Sequence, residues 1–165
     1  MALENPPKLK IEFAEIALKN MVQNYWDDIL FEYNLQNFVF HALGVLDYLS
    51  EMYAKIPKFK DWLKNEKQDL LVDFFISTRN FVSHRKTKTI IRRDVDSNGY
   101  MSEQCPVVST NYRPTNDPDF DSTTAELNIR YFPKFPNDDV KDLCRKYLNK
   151  LKYIVDRCEL IFKAP

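Results

Sequence analysis

Apolar side chains return every third or fourth residue over four stretches of this chain, and that rhythm limits the fold more than any other feature. The first stretch follows Pro6-Pro7 and runs through Ile11, Ala14, Leu18, Met21, Val22 and Tyr25. A second passes through Leu35, Phe38, Val39, Ala42, Leu43, Leu46, Leu49, Met52 and Tyr53, and Pro57 ends it. A third helix is expected from about Lys58 to Arg85. The fourth is expected to begin near Asn137, an N-cap residue followed by Asp138 and Asp139, which suit the helix dipole. It continues through Val140, Leu143, Cys144, Tyr147, Leu151, Ile154, Val155, Cys158 and Phe162. Four amphipathic helices with mostly short links predict a mainly α fold, an antiparallel four-helix bundle.

Residues 87–136 break the rhythm and hold five of the nine prolines. Thr89 to Val95 reads as a strand with Asp96-Ser97-Asn98-Gly99 as its turn, and Ala125 to Phe132 reads as a second strand. Thr110 to Ser122 reads as an exposed loop between them. An unstructured loop of this length is unusual inside a compact domain, so 87–136 is expected to be a small β-rich insertion between helices three and four. With 165 residues, 1–165 reads as a single domain large enough for a real core.

Composition removes several function classes. The only glycines are Gly44 and Gly99, too few for Rossmann or P-loop folds, which need glycine where backbone meets phosphate. Net charge is zero, so any pull on nucleic acid must come from a local patch. Of the three cysteines, Cys144 and Cys158 fall on one expected helix about 21 Å apart, too far for a disulfide, and Cys105 is left over. No Cys/His spacing resembles a zinc site, so neither metal nor cofactor is expected. The N-terminus lacks a basic segment followed by an apolar one, and no stretch approaches membrane-spanning length. Together these predict a reduced, cytoplasmic protein.

Chemistry concentrates at the end of the third expected helix, in Phe74-Phe75-Ile76-Ser77-Thr78-Arg79-Asn80-Phe81-Val82-Ser83-His84-Arg85-Lys86. Imidazole moves protons near neutral pH, and a guanidinium fork suits phosphate; together they suggest phosphodiester chemistry. With Arg79 at zero on a helical wheel, Ser83 falls at about 40°, Asn80 at about 100° and His84 at about 140°. Leu63, Leu70, Leu71, Phe74, Phe75, Phe81 and Val82 lie between about 180° and 320°, so the four polar groups are expected to share the other arc. Ile76 and Trp62 fall on that polar arc, where a lone protomer would expose them. They are the expected interface of a two-fold dimer.

Directly after His84, the run Arg85, Lys86, Lys88, Arg92 and Arg93 holds five cations and no acid within nine residues. It reads either as a solvated face or as a phosphate-tracking patch. His84 itself could serve only as a cation at a helix C-terminus. His41, inside the most apolar helix, reads as a core histidine with its hydrogen bonds satisfied. Asp69 and Asp73 share the polar arc but lack a third ligand for a metal.

A bundle with Arg79-Asn80 and His84 closing its third helix resembles the HEPN family (higher eukaryote and prokaryote nucleotide-binding domains). That family is marked by an arginine, four to six residues and a histidine, often with a polar residue after the arginine. The general character of Phe40-His41-Ala42-Leu43-Gly44-Val45-Leu46-Asp47-Tyr48-Leu49 in helix two fits as well. The likeness covers roughly residues 8 to 86 and 137 to 163, not the insertion. It implies a metal-independent endoribonuclease of toxin–antitoxin or phage-defence type, in which two copies pair to face one cleft. Arg79 and His84 would be catalytic, with Asn80 orienting them. The wheel adds Ser83, and the charge pattern adds Arg85, Lys86, Lys88, Arg92 and Arg93, as RNA contacts. The implied partners are RNA, a second copy of the chain and a cognate antitoxin protein. The same resemblance also admits a non-catalytic dimerisation or nucleotide-binding module.

Overall fold

The computed structural model of the chain describes residues 6–84, 111–113, 129–132, 134–135 and 138–162; the side chains of 79–84, 111–113 and 129 fall outside that description. The described residues form five helices: α1 (Pro6–Gln23), α2 (Asp28–Met52), α3 (Pro57–Glu66), α4 (Leu70–His84) and α5 (Val140–Phe162). The fold is mainly helical, and among the described residues no helix is long and apolar enough to cross a membrane.

Side-chain contacts fix the directions of the long helices. Tyr25 meets Asp139, Phe38 meets Tyr147 and Tyr53 meets Phe162, so α2 and α5 run parallel. Phe13 meets His41 and Lys8 pairs with Glu159, which sets α1 antiparallel to both. Along α4, Asp69 is near Lys150, Phe75 stacks on Tyr147 and Phe74 touches Phe132, so α4 also runs against α5. The result is an up-and-down bundle of α1, α2, α4 and α5. Most of its core falls on the expected apolar positions: Ala14, Met21, Phe38, Ala42, Phe75, Tyr147, Leu151 and Ile154 are buried, Phe31 and Val45 join them, and the expected Val22 is exposed.

The third expected helix is two helices. α3 ends at Glu66, and Asp69 starts α4 afresh, accepting hydrogen bonds from the backbone N–H of Leu71 (3.0 Å) and Val72 (3.3 Å). Lys150 of α5 holds this corner through Glu66 (3.2 Å) and Asp69 (3.6 Å). Since the helix is interrupted, a wheel carried from Leu63 to Arg79 loses its phase. α5 also starts later than expected. Asp139 caps it, accepting from Lys141 N–H at 2.9 Å, while Asn137 lies outside the described residues.

A β-rich insertion is not what the described residues show. They contain one antiparallel ladder of two three-residue strands, β1 (Asn111–Arg113) and β2 (Ile129–Tyr131), with Tyr112 opposite Arg130. β2 falls within the expected second strand, whereas β1 falls where a loop was expected. The expected strand at 89–95 and turn at 96–99 lie outside the described residues.

Candidate functional site

The helix directions bring four termini to one end of the bundle: the last turns of α1 and α4 and the first turns of α2 and α5. Arg79, Asn80, Ser83 and His84 are therefore carried to this end, in the last two turns of α4. What anchors α4 there is aromatic. Phe75 lies flat on Tyr147, with centroids 4.3 Å apart and planes 5° from parallel. Phe74 packs edge-on to Phe132 and Phe135, each at 5.0 Å. Thr78 is buried because its Oγ1 donates to the Phe74 carbonyl (2.9 Å), which satisfies the hydroxyl within its own helix.

Burial along α4 corrects the wheel. With Arg79 again at zero, the buried residues are Phe74 at about 220°, Thr78 at about 260°, Phe75 at about 320° and Val72 at about 20°. Asp73, Ser77 and Leu70, at about 120° to 180°, are exposed, Leu70 among them despite its expected place in the core. Position 79 therefore lies within the angular range of the core-facing residues, and positions 80 and 84 lie on the exposed side. Positions 79, 80, 83 and 84 thus spread from the edge of the core-facing range to the exposed side; the wheel read from sequence left out Val72.

Ile76 and Trp62 were expected to be exposed. Both are half-buried against the protomer's own core, Trp62 between Phe59 (5.9 Å) and Phe162 (5.4 Å). The break after Glu66 turns Trp62 toward the C-terminal end of α5 and off the face it was assigned. Arg85, Lys86, Lys88, Arg92, Arg93 and Cys105 lie outside the described residues.

Beside the α4 terminus, sequence reasoning missed a polar network centred on Arg130. This arginine is 2% exposed. Its guanidinium pairs with Asp28, donates from Nε to the Tyr25 carbonyl (3.0 Å) and lies 4.1 Å from the centroid of the Phe31 ring. Its backbone N–H donates to the Tyr25 hydroxyl (2.6 Å), which in turn donates to Asp139 (2.7 Å). Burial, reinforced by the hydrogen bond to Asp139, holds the Tyr25 hydroxyl well above its ordinary pKa, so it acts as a neutral donor. One chain of bonds thus joins β2, the α1–α2 corner and the α5 cap. The sequence signal was present, an Asp27-Asp28 pair at a helix start, but it did not reveal a partner about a hundred residues away.

His41 is not a satisfied core histidine. It is half-buried between the rings of Phe13 and Phe40 (5.2 Å each), and its Nδ1 has no hydrogen-bond partner. Burial and then the nearby Lys10 lower its pKa. Toward the opposite end of the bundle, a groove of about 270 Å³ lies between α1 and α5, lined by Lys8, Ile11, Glu12, Glu15, Lys152, Val155 and Asp156. Lys8 and Lys152 are paired there with Glu159 and Glu15. Among the described residues no group of three or more His, Cys, Asp or Glu is placed to hold a metal. Cys144 and Cys158 are buried thiols, and burial pushes Cys158 up to about 11. Comparison with protein-family models, with curated proteins and with solved structures gives no match.

Proposed function

We propose that this chain is a metal-independent endoribonuclease of the HEPN type, acting on RNA as a homodimer. The observation that carries the reading is that Arg79, Asn80 and His84 stand on continuous helix at the end of α4, within an antiparallel bundle. Five helical steps rise about 7.5 Å and turn about 140°. Positions 79 and 84 thus fall on different sides of the helix, and pairing two copies supplies the complementary acid and base.

In the reaction the ribose 2′-oxygen attacks the adjacent phosphorus. The new O2′–P bond forms as the P–O5′ bond breaks, leaving a 2′,3′-cyclic phosphate and a 5′-hydroxyl. One His84 takes the 2′ proton and the other protonates the leaving oxygen, help of a kind typically worth about 10²- to 10⁴-fold. Arg79 stabilises charge on the phosphoryl oxygens, and Asn80 orients the pair. Ser83, Arg85, Lys86, Lys88, Arg92 and Arg93 hold the flanking phosphates. A cytoplasmic toxin or phage-defence role, with a cognate antitoxin protein as partner, belongs to the same reading.

A second reading, a non-catalytic HEPN-like binding module, is favoured by the broad exposed apolar face on α1 and α2. Incubating purified wild type, Arg79→Ala and His84→Ala with RNA in excess EDTA separates the two. The nuclease reading expects cleavage by the wild type alone. Cleavage that survives His84→Ala at the wild-type rate overturns it.

A further inference from the structure

Charge is divided unevenly between the helices of a chain whose net charge is zero. α5 carries six lysines and arginines against three acids, whereas α2 carries four acids and neither lysine nor arginine. With Tyr153 at zero on the wheel of α5, Lys146 falls at about 20°, Arg157 at about 40° and Lys150 at about 60°. The buried residues of the helix occupy about 80° to 220°. The three cations and the tyrosine thus form one stripe outside the core, about 16.5 Å long from Lys146 to Arg157. Within it Tyr153 is 48% exposed, its ring centroid 5.4 Å from Lys150 Nζ and 5.7 Å from Arg157 Cζ.

Lys150 reaches Glu66 and Asp69 at the α3–α4 corner, so the stripe lies on the α4 flank of α5. On the other flank, at about 260°, Lys152 pairs with Glu15 of α1. Lys146 adjoins Tyr147, whose ring stacks on Phe75 about one turn before position 79. The stripe therefore begins beside the last turns of α4 and leads toward the far end of the bundle. We infer that it is the path of a single RNA strand leaving the α4 terminus: Lys146, Lys150 and Arg157 meet phosphates, and Tyr153 stacks on a base between them. Cations interleaved with an exposed aromatic suit single strands, because every base offers a π-face. A duplex keeps its bases stacked inside and would leave Tyr153 unused. Lys146 is paired with Asp138, and Lys150 with the corner acids. Exposed ion pairs of this kind contribute little, so a phosphate can take the acid's place. The outer face of α2 has no cation to neutralise phosphate and is not the path.

This path rests on the RNA reading above but not on cleavage, so binding is measured with cleavage blocked. Fluorescence anisotropy of a labelled single-stranded RNA, titrated in EDTA with the full chain carrying His84→Ala, reads it across a salt series. Adding Lys146→Ala and Arg157→Ala together should lower the slope of log affinity against log salt by about 1.4, at ~0.7 per lost phosphate contact. Adding Tyr153→Leu instead should weaken binding at least about fivefold and leave that slope unchanged. Heparin, a polyanion without bases, should respond to the two cations and not to Tyr153. Lys152→Ala, an equal loss of charge on the α1 flank, should keep RNA affinity within about twofold. Lys150 is left in place because it ties the α3–α4 corner, and circular dichroism confirms that each variant is folded. RNA binding that ignores the three stripe substitutions overturns the path and leaves the nuclease reading standing. A slope that falls as much per charge with Lys152→Ala reduces the effect to net charge and overturns it as well. RNA held by the stripe of a wild type that cleaves nothing would remove the nuclease reading alone.

Discussion

At the scale of single residues, the informative groups are those that break a packing rule. Tyr147 is fully buried, with its hydroxyl unpaired and held far above the ordinary phenol pKa by burial. An orphaned buried donor costs free energy that phenylalanine would not. Tyr147→Phe is expected to leave stability unchanged or raise it by up to about 1 kcal/mol. A loss of that size in urea denaturation would mean the hydroxyl has a partner. His41 makes the opposite demand on pH. Its folded pKa is lowered, so the neutral ring is the form the fold prefers. The stability it contributes is present above the ordinary histidine value of about 6.5 and is lost as pH falls from there toward the depressed value. Urea midpoints measured across this range should fall less for His41→Gln than for wild type. Parallel curves would remove His41 as the cause.

At the scale of elements, α1, α2 and α5 were legible because each buries an unbroken apolar stripe bounded by proline or by a capping acid. The break between α3 and α4 was not legible, since Lys67-Gln68-Asp69 contains neither glycine nor proline. Only the lysine reaching over from α5 shows why the chain turns there. The Arg130 network was hidden for a similar reason: its members are far apart in sequence, and arginine in a strand pattern gives no sign of burial. It now accounts for how β2 is tied to the helix ends. Breaking a buried charge pair typically costs about 3–5 kcal/mol, because it leaves the other charge stranded. Arg130→Ala, which also removes the packing on Phe31, should lower the unfolding free energy by about 3 kcal/mol. Asp139→Ala, losing one cap and the Tyr25 bond, should lower it by about 1–2 kcal/mol. If Arg130→Ala costs less than Asp139→Ala in the same urea titration, the network is not organised around the guanidinium.

At the scale of the whole molecule, helix directions make the motif meaningful. Because α4 runs against α2 and α5, its last two turns arrive where three other helices begin or end, and Arg79, Asn80 and His84 come with them. The order of these residues was readable from sequence. How they divide between the core-facing range and the exposed side of α4 was not, since that turns on the burial of Val72, which the sequence pattern left out. If those residues cleave RNA as proposed, the ends of the products report it most directly. Mass spectrometry of RNA digested by the purified protein in EDTA, beside His84→Ala, should find 2′,3′-cyclic phosphate and 5′-hydroxyl ends from the wild type alone. The same ends produced at the same rate by His84→Ala, or no cleavage by the wild type, would contradict the account.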